Sequence, residues 1–568
     1  MTRPAAPEPR PPVPAAPWNP VVDRRRFLLA SLSGAAVLAL GSCSSAPDQR
    51  SGLRLRLPQG ATGFPSPFAA NADIGYNQMS LIYDTLLWKD GSGQLLPWLA
   101  QEYSSSPDHL TYTFRLRDNL KWSDGQPLTS DDVVFTFDYY AKQETLSPPV
   151  IIQPPRGIAK VAAMGASSVQ ITLESPAVTF TEQVAGALPI IPRHVWSKIE
   201  DAGAAQSTKV LVGSGAYRLR SYSGDGAPLL YEARDGYFLG APYVQRIEER
   251  AIEDQFTGLL SGETDVARGQ GLRDDTLAPF RTDPRFGIVT QEGSTTQPLY
   301  WNLRKEGALS DVRFRRACAL AIDRRDLVTR LAAGRGLPGN PGFLSPGNPF
   351  YAPVPQYDFD PAAAGTLLDA AGYPMGSGGI RQAPGGGRLS FELLIDNAQA
   401  PLSEILVASL RRVGVELRPK PVQLGPQLFG NKLVGNYDMA VLFFPGPGPG
   451  GPNADPDILR QLFASTVPAS LEAASAYANA SFDDLAARQL VTFDEAERKA
   501  LVARMQAIIA DELPVLPLYY PEVAVLYRKS VLDQWYFTPG QFPAESDNKQ
   551  LFITGTPTGT SIRSATRS

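Results

Sequence analysis

Apolar and polar positions along the chain alternate between two periods. Leu53–Leu57 (LRLRL) alternates strictly and predicts a half-buried strand. Asn77–Leu87 fits an amphipathic helix with Met79, Ile82, Tyr83 and Leu86 inward. Thr111–Arg117 returns to period two, with Tyr112, Phe114 and Leu116 on one face. Asp118–Asn119 and Asp124–Gly125 read as tight turns around Lys121–Trp122. Thr129, three residues before Asp132, then opens a capped helix carrying Val133 and Phe137 on one face. Further on, strands are expected at Val169–Leu173, Leu389–Ile395, Gly414–Arg418, Tyr437–Phe444 and Pro514–Tyr520. Helices are expected at Asp254–Leu260, Asp311–Arg325, Asp358–Tyr373, Leu402–Val413, Asp457–Phe463, Asp484–Gln489 and Glu495–Ile509. The glycine-rich turn Val212–Tyr217 (VGSGAY) has two readings, an anion cradle or a turn with unusual backbone angles.

The ordered set of these blocks carries a resemblance. The run PWLAQEY…TYTFRLRDNLKWSDGQPLTSDDVVFTF (Pro97–Phe137) resembles the signature of extracytoplasmic solute-binding proteins that serve peptide-type ABC transporters, solute-binding family 5. LPIIPRHVW at 188–196, Gly213–Tyr217, Gly262–Asp265, Leu299–Asn302, Asp311–Arg325 and Pro514–Tyr520 extend it from about Leu53 to about Phe552. The resemblance implies an α/β fold of the type II periplasmic-binding-protein kind, with two lobes, an extra domain and hinge strands at Leu299–Leu303 and Leu516–Pro521. Domain I would be assembled from 53–88, 208–300 and 521–555. Domain II would be 89–207, domain III 301–520, and 556–568 a disordered tail. The implied activity is capture of a solute, with a peptide-like ligand as the leading expectation, by lobe closure. The loaded protein, a monomer, would dock on ABC permease subunits.

The resemblance also nominates ligand contacts. Tyr76 stands at the start of a helix beside the implied cleft, Tyr300, Trp301 and Asn302 on a crossing strand, and Phe443 and Phe444 at a strand end. For each aromatic, core packing is the competing explanation. Asn302 could instead tie down a loop, and an exposed loop position competes for Tyr76. In many peptide-binding relatives an Asp three residues before an Asp/Glu-Pro pair holds the ligand's ammonium. Here the pair is Asp455-Pro456 and the corresponding position is Pro452. Asp455 either substitutes from a shifted loop or caps the helix after it. The departure puts free-amine peptide recognition in question.

Composition narrows the rest. The 568 residues suit several domains, and 43% hydrophobic with 19% charged residues suits a globular body. The formal charge is −4. Arg3, Arg10, Arg24, Arg25 and Arg26 against Glu8 and Asp23 leave the body mildly acidic, without the basic stripe that nucleic acid binding requires. The chain begins with a Pro/Ala-rich stretch, then Arg24-Arg25-Arg26-Phe27-Leu28, an apolar run to Leu40 and Leu40-Gly41-Ser42-Cys43. This order is similar to a twin-arginine export signal ending in a lipobox, so 1–42 reads as a removed signal, Cys43 as the acylated residue and 43–52 as a tether. A plain cleaved signal or an uncleaved anchor is the alternative. The expected location is the outer face of the cell membrane.

Candidate catalysis is thin. Cys318 falls in a helix beside Ala317 and Ala321, as a small buried thiol would. His109 and His194 are the only histidines, so Ser-His-Asp and Cys-His chemistry and a histidine-based metal site find no support. Gly334–Gly339 and Gly446–Gly451 match G-x-G-x-x-G, the first after a helix and the second interleaved with prolines, so neither has the phosphate-binding context. No cofactor and no metal are expected, and the protein reads as a non-enzyme. A carboxylate-pair hydrolase, a non-transport sensor on the same scaffold and a non-peptide solute remain the alternatives.

Overall fold

The computed structural model describes residues 52–59, 63–69, 74–91, 93–142, 157–224, 227–293, 295–423, 435–445, 455–467, 476–537 and 549–556. The signal, Cys43, the tether to Ser51 and the segment 446–454, with Pro452, lie outside them.

Leu53–Pro58 pairs in parallel with Val244–Arg250, which continues through Leu229–Ala233 to Tyr217–Leu219. A second four-stranded sheet holds Ala100–Ser105, Thr111–Leu116, Ser168–Leu173 and Ile158–Ala163, with Thr111–Leu116 internal. One core runs through both sheets, from Leu55 and Met79 through Phe114, Ile171 and Trp196 to Ile247, and takes in Leu551 and Phe552. A three-stranded sheet, Val266–Gln270, Val523–Arg528 and Phe286–Gln291, sits beside it on a small core of its own.

The other half is a five-stranded sheet in the order Glu416–Val422, Ser390–Asp396, Met439–Val441, Pro298–Trp301, Val515–Pro517. Its two faces carry separate cores. Helices Val312–Ala321, Arg324–Leu331, Pro361–Ala370 and Ala400–Arg412 cover one, and Ile458–Phe463, Ala480–Leu490 and Glu495–Glu512 cover the other. The chain passes into this half through 291–298 and back through 517–523, where Gln297 and Leu518 exchange backbone hydrogen bonds with Tyr519 and Gln297.

Local chemistry explains where the elements depart from expectation. The first helix is Ile74–Ile82, not Asn77–Leu87, because Leu87–Lys89 pairs with Leu95–Pro97 and Gly215 N–H caps Ile82 O at 2.7 Å. That docking fixes the glycines of the VGSGAY turn. A Cβ on Gly213 would lie 1.9 Å from Ile82 O, and one on Gly215 would lie 2.4 Å from Leu81 O. Close backbone approach, not positive φ, is what demands glycine there. The helix expected over Asp311–Arg325 is two helices. Asp323 accepts from the N–H groups of Arg325 (3.1 Å) and Asp326 (3.0 Å), so it starts a second helix where Ile322 is extended. Pro514–Tyr520 likewise divides into Val515–Pro517, in the large sheet, and Tyr519–Pro521, paired with Gly336–Pro338. At Thr129 half of the expected capping box is present, with Asp132 accepting from Thr129 N–H at 3.0 Å.

Two buried carboxylates stand out in the first half. Asp84 and Lys549 have no exposed side-chain surface, and Lys549 Nζ lies 2.6 Å from Asp84 Oδ1. Trp98 Nε1 donates to the same oxygen at 2.8 Å, and Lys549 Nζ lies 4.6 Å from the Trp88 ring centroid. Removing one member of such a pair strands a buried charge, a loss of roughly 3–5 kcal/mol, whereas removing both is far milder. Lys549→Met is therefore expected to lower the free energy of urea unfolding by about 3–5 kcal/mol, with much of it recovered in Asp84→Asn/Lys549→Met.

The second is Glu249, beneath Gln78. Burial pushes its carboxyl from 4.5 up to about 7, against the opposing pull of the Gln78 hydrogen bond and the charge of Arg268. Because the folded value is the higher one, the protonated group stabilises the fold. That contribution is complete below pH 4.5 and is lost as pH rises through about 7. The loss is on the order of 3 kcal/mol. Urea titrations between pH 4.5 and 7 should show this fall in the wild type, and Glu249→Gln should flatten it.

Candidate functional site

In the large sheet the second strand, Ser390–Asp396, is parallel to both neighbours, Glu416–Val422 on one side and Met439–Val441 on the other. The chain runs from it to the first neighbour and only later to the second, so strand order reverses at its carboxyl end. Such a switch point leaves a crevice where open α/β sheets bind ligands. Asn397–Gln399 and the first turn of Ala400–Arg412 occupy this end, and a cavity of about 230 Å³ opens beside them.

The cavity is built from both halves of the molecule. Gln270 comes from the end of Val266–Gln270, Gln297, Tyr519 and Pro521 from the two crossings, Leu331 from a helix end, and Ala398, Gln399, Pro401 and Leu402 from the switch-point turn. Gln297 precedes the strand Pro298–Trp301, and Tyr519 follows Pro517, so the paths that connect the halves also form the wall. No lining side chain is ionised at neutral pH: burial raises the Tyr519 phenol to about 12.

None of the seven sequence-nominated contacts lines this cavity. Tyr76 is a buried helical residue whose hydroxyl donates to Ala187 O at 3.1 Å, so the exposed-loop alternative does not hold. Tyr300 and Trp301, adjacent on one strand, point to opposite faces. Tyr300 enters the core that holds Phe343 and Phe444, and Trp301 the one that holds Phe314, so one ligand cannot touch both from one side of the sheet. Phe444 packs edge-on against Phe343, 5.6 Å between centroids. Asn302 Nδ2 donates to Gly435 O (2.9 Å) and Tyr437 O (2.8 Å), which is the loop-tying arrangement.

Asp455 forms a two-pronged pair with Arg498, at 2.7 and 3.0 Å, and accepts from Asp457 N–H at 2.8 Å. Burial raises its carboxyl above the usual range, and the Arg498 charge opposes that. Asp457, next to it, is held low although burial pushes it up, because Arg460 hydrogen-bonds it at 2.6 and 2.7 Å. Sequence reasoning missed Gln270, Gln297, Gln399 and Tyr519. Glutamine belongs to no motif, and only the positions of Gln297 and Tyr519 flanking the crossings carried a signal.

Reactive groups are placed elsewhere. Cys318 is fully buried, and burial pushes its thiol far up, away from nucleophilic character. His194 Nε2 meets Asp124 at 2.7 Å on the surface. Among the described residues no group of three or more His, Cys, Asp or Glu side chains is arranged to hold a metal ion. No helix among them is long and apolar enough to cross a membrane.

Losing Arg498 would leave Asp455 and Asp457 together without one of their counter-charges. Arg498→Met should lower stability by roughly 3–5 kcal/mol. Its effect on solute affinity should be small by comparison, as calorimetric titration of the refolded variant would show.

Comparison with known proteins agrees with this architecture. The chain is 24% identical over 496 residues to the dipeptide-binding protein of Escherichia coli K12, covering 82% of this chain and 88% of that one. It is 25% identical over 476 residues to the nickel-binding periplasmic protein of the same organism, covering 80% and 86%. The structure of the oligopeptide-binding protein AppA from Bacillus subtilis, in complex with a nonapeptide, superposes with a TM-score of 0.74 at 21% identity, over 88% of this chain and 98% of that one. Residues 94–469 match the model of the bacterial extracellular solute-binding proteins, family 5 (middle region), and the chain belongs to that family.

Proposed function

We propose that the protein captures a peptide-like solute outside the cytoplasm by closing two lobes over the 230 Å³ cavity, and hands it to an ABC importer without making or breaking a bond. The observation that carries this is where the two halves touch. They are joined covalently at the crossings, beside the cavity. They also meet at sites remote in sequence from those crossings. The His109 ring stacks on Phe493 at 3.7 Å, and Val178 N–H donates to Leu490 O at 2.8 Å. A molecule held at its hinge and also at such outlying contacts has the contact pattern of a shut clamp. Contacts available only when shut are what allow a ligand to shift an open–closed equilibrium.

The division into domain I (53–88, 208–300, 521–555), domain II (89–207) and domain III (301–520) is part of this proposal. So is attachment by an acylated Cys43 after removal of a twin-arginine signal, with the body acting as a monomer. The relatives named as dipeptide-binding and nickel-binding mark two solute classes. Within the cleft, Gln270, Gln297, Gln399 and Tyr519 contact the solute. Tyr76, Tyr300, Trp301, Asn302, Phe444 and Asp455 belong to the packed frame around it.

Phe493→Ala removes the stacking partner of His109 without touching the cavity. Small-angle scattering should show the ligand-free variant with a larger radius of gyration than the wild type. Solute affinity should fall severalfold, mainly through faster release. A one-to-one calorimetric titration against a peptide panel tests the reading itself. Absence of any binding solute, or turnover of one, would overturn it.

A further inference from the structure

The cavity, whose wall is open to solvent at Gln270, Ala398 and Pro401, has an uncharged polar lining. Its polar side chains are three primary amides, Gln270, Gln297 and Gln399, and one phenol, Tyr519. Its remaining walls are Leu331, Ala398, Pro401, Leu402 and Pro521. Among the described residues no carboxylate, guanidinium or ammonium lines it.

The charged groups closest to it in sequence, Asp396 and Glu522, are not among its lining residues. Asp396 Oδ1 accepts from Ala398 N–H at 2.8 Å. Glu522, next to Pro521, pairs with Arg335 at 3.4 Å, and Arg335 also binds Asp274 at 2.5 Å. Gln297 is buried, so its amide cannot be left without a partner when the cleft shuts over it. An amide offers one acceptor and two donors in one plane. The complement of several such groups is another neutral planar amide, with its own C=O and N–H. An ammonium in the same space would find no carboxylate among the lining side chains, so its desolvation would be poorly offset there. The first turn of Ala400–Arg412 adds to the asymmetry, since a helix start favours an acceptor and disfavours a cation.

Resting on the receptor reading above, we propose that the part of the solute seated in this cavity is an uncharged amide segment, the interior or blocked end of a peptide, and not a free amino terminus. Gln297 and Gln399 are its specificity-determining residues.

The test uses calorimetric titration of the full processed chain with acetyl-trialanine amide and with trialanine amide, which differ only in the free ammonium, at low and high salt. The capped peptide should bind at least tenfold more tightly, with an affinity that changes less than twofold between the two salts. Gln297→Glu and Gln399→Glu each introduce a carboxylate of nearly equal size, and should reverse or erase that preference. A merely structural role for these residues would weaken both peptides alike. Equal or tighter binding of the free-amine peptide by the wild type would overturn the amide assignment while leaving the receptor reading intact. So would binding of maltose with neither peptide bound. Failure of both peptides, maltose and the wider peptide panel would remove the receptor reading with it.

Discussion

A single buried ion pair fixes how the first half of this molecule is assembled. Asp84 and Lys549 are 465 residues apart in the chain, and neither exposes any side-chain surface. A lone carboxylate in that position would carry an uncompensated charge, so the closed core depends on the docked helix Lys549–Thr554. Asp84 also takes the indole N–H of Trp98 and lies 3.4 Å from the Tyr237 hydroxyl. Its own N–H donates to Ser214 Oγ at 2.9 Å. One carboxylate thereby gathers the first helix, the strand-rich signature segment, the VGSGAY turn and the C-terminal helix. The cost of burying a charge becomes a constraint on register, since no neighbouring side chain could replace Lys549 without moving the helix.

The crossings depend on this frame at one end and on the five-stranded sheet at the other. Prolines mark them: Pro298, Pro517 and Pro521 lack an N–H, which confines each to a position where the ladder needs no donor. The strands beside them are short: Pro298–Trp301 and Val515–Pro517 pair with each other in the large sheet, and Tyr519–Pro521 pairs with Gly336–Pro338. Gly336, at φ +141°, has room for no Cβ because Tyr520 O would stand 2.3 Å from it. Such close backbone packing lets two thin connections hold a defined geometry beside a cavity. The switch point then supplies the other wall through Gln399 and Leu402. Both halves contribute to the wall, so neither alone forms the space.

The same arrangement accounts for what the described residues lack. Buried arginines are numerous but occupied: Arg315 donates to Leu309 O and Leu513 O, each at 3.0 Å, and Arg234 to Gly213 O (3.1 Å) and Lys121 O (3.0 Å). Arg381 donates to Val413 O at 2.8 Å. These side chains neutralise carbonyl ends inside the frame, so they are unavailable to polarise a substrate. The cavity, by contrast, is lined among the described residues by polar groups that hydrogen-bond without carrying charge at neutral pH.

Much of the fold was legible in the sequence, and the boundary of that legibility is physical. Strict alternation at Leu53–Leu57 and Thr111–Arg117 marked real strands, and Asp254, Asp311 and Asp494 begin helices as their side chains accept the first free N–H groups. These signals are local, so sequence carries them. The ordered blocks also identified the family before any coordinates. The break at Asp323, the early end of the helix at Ile82 and the glycine requirement at Gly213 arise from segments far apart in the chain, and only tertiary contact reveals them. The candidate site shows the same limit most sharply. Aromatic residues on a strand look like ligand contacts, yet alternation sends Tyr300 and Trp301 into opposite cores, while three glutamines with no motif converge from three distant segments. Period and capping are written into the chain because they act over a few residues. Which side chains face a shared cavity depends on how sheets stack and cross, and that was decided by packing alone.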